Sequence, residues 1–251
     1  MIPGQKNQKS DEPEESSMGR QTFQIAIDGP VAAGKGTVSR LVAKELGFLY
    51  VDTGAMYRVA ALLALRHGVS LKNELRIVGL ISKTSFQMRD PVGEERDGRL
   101  VTILVDGEDV SWAIRTEDVS RAVSPIATLP KVREVLVKKQ QEIAKGQNVV
   151  MEGRDITYRV LPEADLKIYL TANEIVRAKR RHFQLLTKGE AVEFQEVYEE
   201  LLKRDKRDKT RKTDPLKIVS DAWVVDTSDL TIEQVVDLIV AKVRMIRSVS
   251  S

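Results

Sequence analysis

The sequence predicts an α/β fold in which a five-stranded parallel sheet carries helices on both faces. Five short apolar runs lie along the chain, mostly without alternation, and polar or glycine-containing residues follow each run, as expected of strands buried on both faces. Helical patterns separate the runs, and strands that alternate with helices favour a parallel sheet. The five runs are residues 23–27, 48–51, 148–151, 166–170 and 223–225.

The helices are predicted from apolar residues that recur at helical spacing. Between residues 38 and 46 they form one stripe, and Gly47 follows where helices often end in a left-handed conformation. Residues 131–145 and 231–247 show the same periodicity. Residues 86–110 instead contain two strand-like runs joined by a polar, glycine-containing loop, which indicates a small antiparallel insertion.

The composition excludes several classes of function. The 251 residues contain no cysteine and only two histidines, which excludes disulfides, thiolate metal sites and cysteine nucleophiles and disfavours a histidine metal site. The net charge of +3 is small for a general nucleic-acid binder. The longest apolar run, residues 59–65, is far shorter than the roughly 20 residues of a membrane span. We therefore expect a cytoplasmic protein without a membrane or nucleic-acid partner.

Residues 1–20 are polar and charged, and they lack both apolar periodicity and the apolar core of a secretory signal. We expect this segment to be a disordered tail. The remaining chain, residues 21–248, fits the size of a single domain with insertions.

A glycine-rich segment, IAIDGPVAAGKGT, leads from the first predicted strand into the first predicted helix. It contains the pattern G-x-x-x-x-G-K between Gly29 and Lys35. Glycines allow a tight turn whose N–H groups face an anion, the helix start adds partial positive charge, and the lysine reaches the outer phosphates. A glycine-rich turn without a ligand is the alternative, but the lysine, the spacing and both flanks favour a phosphate-binding loop.

Gly36 separates Lys35 from Thr37, whereas many phosphate loops have serine or threonine directly after the lysine. This Gly-Lys-Gly-Thr form resembles that of nucleoside monophosphate kinases. Guanine-specific switch proteins would also need an Asn-Lys-x-Asp base reader, and no Asn-Lys pair occurs in the chain. The loop therefore favours a kinase.

Charged residues follow the second and third predicted strands, at the sheet edge where ligands of open α/β sheets bind. After the second strand, Thr53 is a candidate N-cap of a helix whose Arg58 is placed to clamp a second anion. After the third, Glu152 resembles the carboxylate that holds magnesium through water in phosphate-loop enzymes, and Arg154 and Asp155 come next. A capped helix with a surface arginine, and an incidental loop acid, are the alternatives.

The segment from residue 203 to 217 carries eight Lys or Arg against three Asp. One interpretation is a solvated helix face with ion pairs at i, i+3 and i, i+4. Phosphoryl transfer, however, needs positioning and neutralisation of spread negative charge, which a mobile basic lid supplies while it expels water. We therefore favour a lid at about residues 177–217, with an acceptor-binding insertion at about residues 82–122.

With these segments together, the chain resembles the bacterial cytidylate kinases from about Ile25 to its C-terminal helix. The motifs that carry the resemblance are IDGPVAAGKGT, VDTGAMYRV, GEDVSWAIRTEDVSRAVSPIA, LPKVREVLVKKQ, EGRDI and RDKRDKTR. The resemblance implies a three-layer phosphate-loop fold like that of nucleoside monophosphate kinases, with an acceptor-binding insertion and a helical lid. It also implies transfer of the γ-phosphoryl group of ATP, with Mg²⁺, to CMP or dCMP, in an enzyme that we expect to be a monomer.

The resemblance implies a role for each matched residue. Lys35, Arg154 and Arg211 would act in catalysis, and Glu152 would hold magnesium through water, with no direct metal ligand from the protein. The residues that would bind the ATP phosphates are Gly29, Pro30, Val31, Ala32, Ala33, Gly34, Lys35, Gly36 and Thr37. The residues that would bind the acceptor are Thr53, Tyr57, Arg58, Ser124, Arg133, Asp155, Arg204, Asp208 and Arg211.

The acceptor residues divide by the part of CMP that the resemblance assigns to them. Arg58 would bind the phosphate of CMP, and Arg211 would approach the phosphates. Arg204 and Asp208 would approach the ribose, and Ser124, Arg133 and Asp155 would contact the cytosine edge. Arg180 or Arg181 would join Arg154 in neutralising the transferred charge.

Three positions depart from the family pattern and bear on base and sugar preference. Residues 157–159 read Thr-Tyr-Arg where the family usually continues with Gly-Thr, Glu152 replaces the usual aspartate, and Val31 replaces a small residue. Two alternative functions stay open. One is a phosphate-loop kinase for another nucleotide or small metabolite. The other is an RNA-binding module built on residues 203–217, although that segment lacks the aromatic residues on which RNA readers stack bases.

Overall fold

A computed structural model describes residues 22–187 and 189–249 of the chain. The predicted tail at residues 1–20 lies outside the described residues. In chain order the elements are β1 (Gln24–Asp28), α1 (Lys35–Leu46), β2 (Leu49–Asp52), α2 (Thr53–Arg66), α3 (Glu74–Lys83), β3 (Phe86–Arg89), β4 (Thr102–Val105), β5 (Glu108–Asp109), α4 (Glu117–Ile126), α5 (Pro130–Ala144), β6 (Val149–Gly153), β7 (Leu166–Thr171), α6 (Glu174–Leu186), α7 (Phe194–Thr210), β8 (Trp223–Asp226) and α8 (Ile232–Val249). Among the described residues, no helix combines the length and apolarity that a membrane crossing needs.

The central layer is a five-stranded sheet in the order β2-β6-β1-β7-β8. All neighbouring strands in it are parallel, so the predicted α/β fold is confirmed. The register pairs Asp28 at the end of β1 with Gly153 on β6, and Asp52 at the end of β2 with Glu152. The segments that follow β1, β2 and β6 therefore leave the sheet side by side at its carboxyl edge.

The sheet buries apolar side chains on both faces. Ile25 and Ile27 of β1 belong to one cluster with residues of α1, α2 and α8. Ala26, between them, belongs to a second cluster with Val51, Met151 and residues of α5. Because successive strand residues point to opposite faces, this alternation requires helices on both sides and gives the predicted three layers.

Two sequence predictions concern helix ends: the left-handed conformation of Gly47 after α1, and Thr53 as the N-cap of α2. Gly47 ends α1 in a left-handed conformation with a φ of 67°, as predicted. The N-cap of α2 is Asp52, whose Oδ1 accepts a hydrogen bond from the N–H of Ala55 at 3.1 Å. The prediction that Thr53 is the cap is therefore wrong. Thr53 is the first helical residue, and its hydroxyl donates to the carbonyl oxygen of Glu152 at 2.7 Å.

The insertion and the basic segment each differ from the prediction in one detail. The insertion is an antiparallel sheet in the order β3-β4-β5, with three strands rather than two. Asp106 and Gly107 have left-handed φ values of 51° and 88°, and this turn divides the second predicted run into β4 and β5. Within residues 177–217, where the sequence predicts a helical lid, the last helix ends at Thr210, and the two helices α6 and α7 pack against each other as a hairpin.

Candidate active site

The phosphate-binding loop connects β1 to α1, and two glycines shape its backbone. A Cβ atom on Gly29 would lie 2.0 Å from the carbonyl oxygen of Leu170 on β7, so only glycine fits there. Gly34 precedes α1 with a left-handed φ of 88°, which residues with a side chain adopt at a cost. Lys35 is the first residue of α1, and its Nζ donates to the carbonyl oxygen of Pro30 at 2.9 Å.

We expect Gly29→Ala to lower the free energy of unfolding by about 3 kcal/mol, because the backbone of β7 must move away from the new methyl group. Gly47→Ala is the matched control. Its Cβ would meet no atom within 4 Å, so it costs only the left-handed strain of about 1–2 kcal/mol. Urea unfolding of both variants measures the difference, and equal losses would contradict the steric argument.

The carboxylate of Glu152, on β6, lies beside the start of α1. It accepts a hydrogen bond from the hydroxyl of Tyr50 at 2.8 Å. A Cβ atom on Gly36 would come within 3.1 Å of its Oε1. This close approach gives a physical reason for the glycine that separates Lys35 from Thr37, since any side chain there would crowd the carboxylate.

The two charged groups behind the loop have pKa values that approach each other. Burial and the nearby Asp52 raise the pKa of Glu152 to about 7. Burial and the nearby Arg154 lower the pKa of Lys35 to about 7. Burial and Arg154 therefore outweigh the carboxylates of Glu152, Asp208 and Asp28, which raise the pKa of Lys35, and a bound polyphosphate would add further negative charge beside the amine.

ATP binding without a metal ion should take up a proton at pH 8. At this pH the Lys35 amine is mostly neutral, because its pKa of about 7 lies below the solution pH. A phosphate beside it raises that pKa, so the amine gains a proton on binding. At pH 6 the amine is already charged and contributes no uptake.

Titration calorimetry in two buffers of different ionisation enthalpy measures this uptake. Lys35→Met, studied at ATP concentrations that saturate it, is the control and should take up fewer protons at pH 8, because only the carboxyl group of Glu152 then remains to gain one. A buffer-independent heat of binding for the unmodified protein at pH 8 would contradict the prediction.

A cavity of about 290 Å³ opens at the carboxyl edge of the sheet. All nine residues predicted to bind the acceptor line it, together with Glu152 and Arg154. Lys35 does not line the cavity, but it interacts electrostatically with Arg154, Glu152 and Asp208, which do. The cavity therefore brings together residues from α2, α4, α5, α7 and the segment after β6.

Arg133, on α5, is only 2% exposed, and three protein acceptors hold its guanidinium. Its Nη2 donates to Asp155, its Nη1 to the carbonyl oxygen of Ala127 at 3.1 Å, and its Nε to Asp214 at 2.9 Å. The guanidinium carbon lies 5.3 Å from the centre of the Tyr57 ring. These contacts fix the plane of the guanidinium, as the recognition of a planar ligand requires.

Other cations of the cavity are less fully paired. Arg154 donates from Nε to Asp208 at 2.7 Å, and Arg58 donates to the hydroxyl of Ser120 at 2.9 Å. Arg204 has no ion pair with any residue that the structure describes, and burial together with Arg154 lowers its pKa to about 10. Positive charge in excess of its carboxylate partners thus faces this part of the cavity, which suits a phosphate group.

A second cleft, of about 790 Å³, adjoins the cavity and lies between α2 and α4 on one side and the α6–α7 hairpin on the other. The arginines that line it are Arg58, Arg115, Arg121, Arg181, Arg204 and Arg207. Arg180 points elsewhere: its Nη1 and Nη2 donate to the hydroxyl and carbonyl oxygens of Thr227 at 2.9 Å and 2.6 Å. Of the two alternatives considered for neutralising transferred charge, the structure therefore places Arg181 at the cleft.

The family model described as Cytidylate kinase matches residues 25–245 of the chain. The cytidylate kinase of Caldanaerobacter subterraneus subsp. tengcongensis is 49% identical over 223 residues, which cover 89% of this chain and 95% of the relative. The chain belongs to the cytidylate kinase family. The cytidylate kinase of Pelotomaculum thermopropionicum is 48% identical over 219 residues, 87% of this chain and 95% of the relative. That of Geobacillus sp. is 44% identical over 220 residues, 88% of this chain and 96% of the relative.

Asp28 supports the site of this cytidylate kinase family member, although sequence analysis missed it. Its fully buried carboxylate accepts hydrogen bonds from the N–H groups of Ile156 and Thr157, both at 2.9 Å, and from the hydroxyl of Thr157 at 2.7 Å. Burial raises the pKa of Asp28 to about 6. Because Thr157 is not in the left-handed region, no glycine is needed there, and the hydroxyl adds a bond that glycine lacks.

A buried ion pair that the sequence did not predict links the α6–α7 hairpin to the phosphate-binding loop. Arg177 on α6 and Asp205 on α7 are both buried and form an ion pair at 2.7 Å. Arg177 also donates to the carbonyl oxygen of Val31 at 3.0 Å, and Asp205 accepts from the N–H of Val31 at 3.4 Å. The sequence shows Asp205 only as one acid within a basic run, so nothing in the pattern marks it.

Proposed function

We propose that this protein transfers the γ-phosphoryl group of ATP to CMP and dCMP, by in-line attack and without a covalent enzyme intermediate. The observation that carries the proposal is the cavity of about 290 Å³, which collects all nine residues predicted for the acceptor. Membership of the cytidylate kinase family supports the same substrate class. Because the attacking oxygen of CMP belongs to an ionised phosphate, no catalytic base is needed.

The phosphate-binding loop holds the triphosphate of ATP in this proposal. Its N–H groups and the start of α1 provide the anion site, and Lys35 exchanges its bond to Pro30 for one to a phosphate oxygen. Magnesium that arrives with ATP would neutralise charge on the β- and γ-phosphates. Glu152 would hold this hard cation through water, since its carboxylate offers the oxygen ligands that such a cation prefers.

The acceptor is held from two sides. Arg58 binds the phosphate of CMP, while Asp155 accepts from the amino group of cytosine and Arg133 and Ser124 donate to its ring nitrogen and carbonyl oxygen. The close pairing of Arg133 with Asp155 supports this assignment, because both groups need a fixed orientation to read one base edge. The ribose lies between these two ends, beside α7.

Transfer depends on charge in the same proposal. The transition state spreads negative charge over the oxygens of the transferred group, and fixed cations stabilise it. Arg154 and Arg211 line the cavity, and Arg181 lines the adjoining cleft.

We further propose that the chain acts as one domain, residues 21–248, with two movable walls. The insertion, at about residues 82–122, and the lid, at about residues 177–217, face each other across the larger cleft. Closure of the lid over both nucleotides expels water that would otherwise compete for the phosphoryl group. The enzyme in this proposal is a cytoplasmic monomer whose partners are small-molecule nucleotides.

A panel of acceptors tests the proposed function. With ATP and magnesium fixed, kcat/KM is measured for CMP, dCMP, UMP, AMP and GMP. We expect CMP and dCMP to be preferred over UMP, and AMP and GMP to be poor, because a mismatched edge leaves buried polar groups of the site unpaired.

The other outcomes separate the alternatives. Preference for AMP or GMP would overturn the cytosine assignment and leave a nucleotide kinase. ATP binding without phosphorylation of any nucleotide would point to another small metabolite as acceptor. Filter binding of RNA that ATP does not reduce would instead favour the RNA-binding alternative.

A further inference from the structure

Asp214 lies outside every motif of the sequence, yet it contacts three arginines beside the cavity. Its Oδ2 accepts from Nε of Arg133 at 2.9 Å, and its backbone carbonyl accepts from Nε of Arg211 at 2.7 Å. Its Oδ1 lies 3.6 Å from Nε of Arg159. Because only 17% of the Asp214 side chain is exposed, water screens these contacts weakly.

Asp155 completes these contacts into a closed ring. One of its carboxylate oxygens accepts from Arg133, and the other accepts from Nη2 of Arg211 at 3.3 Å. Asp155, Arg133, Asp214 and Arg211 then each contact two neighbours, and two carboxylates balance two guanidinium groups. Without the Asp214 carboxylate, Nε of Arg133 would lose its partner, and the guanidinium would be held only by Asp155 and the carbonyl oxygen of Ala127. The bond from Nε of Arg211 goes to the backbone of Asp214 and does not need the carboxylate.

The backbone at Asp214 is held in an unfavourable conformation. Its φ of 46° lies in the left-handed region, which few residues other than glycine, asparagine and aspartate adopt. The hydroxyl of Tyr158 donates to the carbonyl oxygen of the next residue, Pro215, at 2.5 Å. The Nζ of Lys217 lies 4.1 Å from the centre of the Tyr158 ring. The segment therefore keeps this conformation because neighbours hold it from both sides.

The residues that hold this segment are the ones that depart from the family pattern. Tyr158 and Arg159 both follow Asp155 on the turn after β6, and both contact the segment that carries Asp214. The departure therefore adds contacts between the floor of the acceptor cavity and the chain that leaves α7.

We propose that Asp214 is a positioning residue for Arg133, and that Tyr158 and Arg159 hold Asp214 in place. This inference rests on the proposed function, because it concerns how the base of the acceptor is recognised. Three N–H groups of Arg133 donate to protein acceptors, and these hydrogen bonds fix the direction of the remaining N–H groups. Asp214 fixes one edge of the guanidinium and Asp155 fixes the other.

Two substitutions test the inference without adding backbone strain. Asp214→Gly removes the carboxylate, and Asp214→Asn keeps an oxygen that can accept from Arg133; both residues tolerate the left-handed conformation. Asp106→Gly is the matched control, because Asp106 has a similar φ of 51° on a turn of the insertion and does not line the cavity.

We expect Asp214→Gly to raise the KM for CMP about tenfold or more, since it removes a hydrogen bond to a charged group. The KM for ATP should change by less than about twofold, because the phosphate-binding loop is untouched. The preference for CMP over UMP should fall with it. Asp214→Asn should lie between the glycine variant and the unmodified protein, and Asp106→Gly should match the unmodified protein.

Each other outcome has a defined meaning. An unchanged KM for CMP and an unchanged CMP preference in Asp214→Gly overturn the inference, while CMP turnover by the unmodified protein upholds the proposed function. Equal rises in KM for CMP and ATP indicate a merely structural role and also overturn it. Absence of CMP turnover in the unmodified protein overturns both. If the glycine variant does not fold, the same comparison with Asp214→Asn decides.

Discussion

Lys35→Ala should lower kcat/KM for CMP by about 100- to 1000-fold while the protein stays folded, because one preorganised charge at the transferring phosphate is lost. Lys35 is the first residue of α1 and only 6% exposed, and its amine bonds to the loop carbonyl of Pro30. In the free protein this amine is easily neutralised, since burial and Arg154 lower its pKa to about 7. The positive charge of Lys35 therefore stabilises a bound polyphosphate more than it stabilises the free protein.

Steady-state kinetics with saturating ATP, together with circular dichroism, measure both parts of this prediction. Lys44→Ala is the matched control, because Lys44 is an exposed lysine in the last turn of the same helix. The control should retain the activity of the unmodified protein. Turnover near normal in Lys35→Ala would contradict the assignment of the loop.

Arg133→Met should lower the free energy of unfolding by about 3–5 kcal/mol, because removal of one member of a buried ion pair leaves an uncompensated charge. Asp155 and Asp214 would then face each other across the space of the guanidinium. CMP turnover should fall far more than ATP affinity, since Arg133 lines the acceptor cavity and makes no contact with the phosphate-binding loop.

Denaturant unfolding and separate ATP titrations check this second prediction. Lys138→Met on the same helix is the control, because the Lys138–Glu134 pair is exposed and such pairs contribute at most about 1 kcal/mol. Adding Asp214→Asn to Arg133→Met should recover part of the lost stability, because one of the two carboxylates that lost Arg133 as a partner becomes a neutral amide. A loss no larger than that of the control would show that the buried network does not need the arginine.

The sheet and the phosphate-binding loop were predictable because short-range patterns determine them. All five strands lie within two residues of their predicted ends, since a strand buried on both faces must be a continuous apolar run. The glycines of the loop were equally visible, because Gly29 and Gly34 answer local requirements of close approach and left-handed backbone. The acceptor residues came from the resemblance to a family, and the cavity that they share became visible only in the structure.

The contacts that escaped prediction join residues far apart in sequence. Arg133 and Asp214 are separated by 81 positions, and Val31 and Asp205 by 174. Within a run of basic residues, every acidic residue could form an ion pair with a neighbour in the same run. The sequence pattern therefore does not reveal which acidic residue contacts a distant segment of the chain. The prediction of the N-cap of α2 was wrong for a different reason. Aspartate and threonine are both good N-cap residues, and only the backbone conformation at Asp52 decides between them.

Arg177 and Asp205 are both hydrogen-bonded to the backbone of Val31, so the α6–α7 hairpin has a pivot point, or fulcrum, at the phosphate-binding loop. Helix α7 extends from Asp205 back to Phe194, a lever arm of roughly 16 Å at 1.5 Å per residue. We expect a tilt of roughly 10° at the fulcrum to move the far end of the hairpin by about 3 Å. A slight reseating of Val31 around an incoming phosphate would thus be magnified into a displacement at the tip of the hairpin.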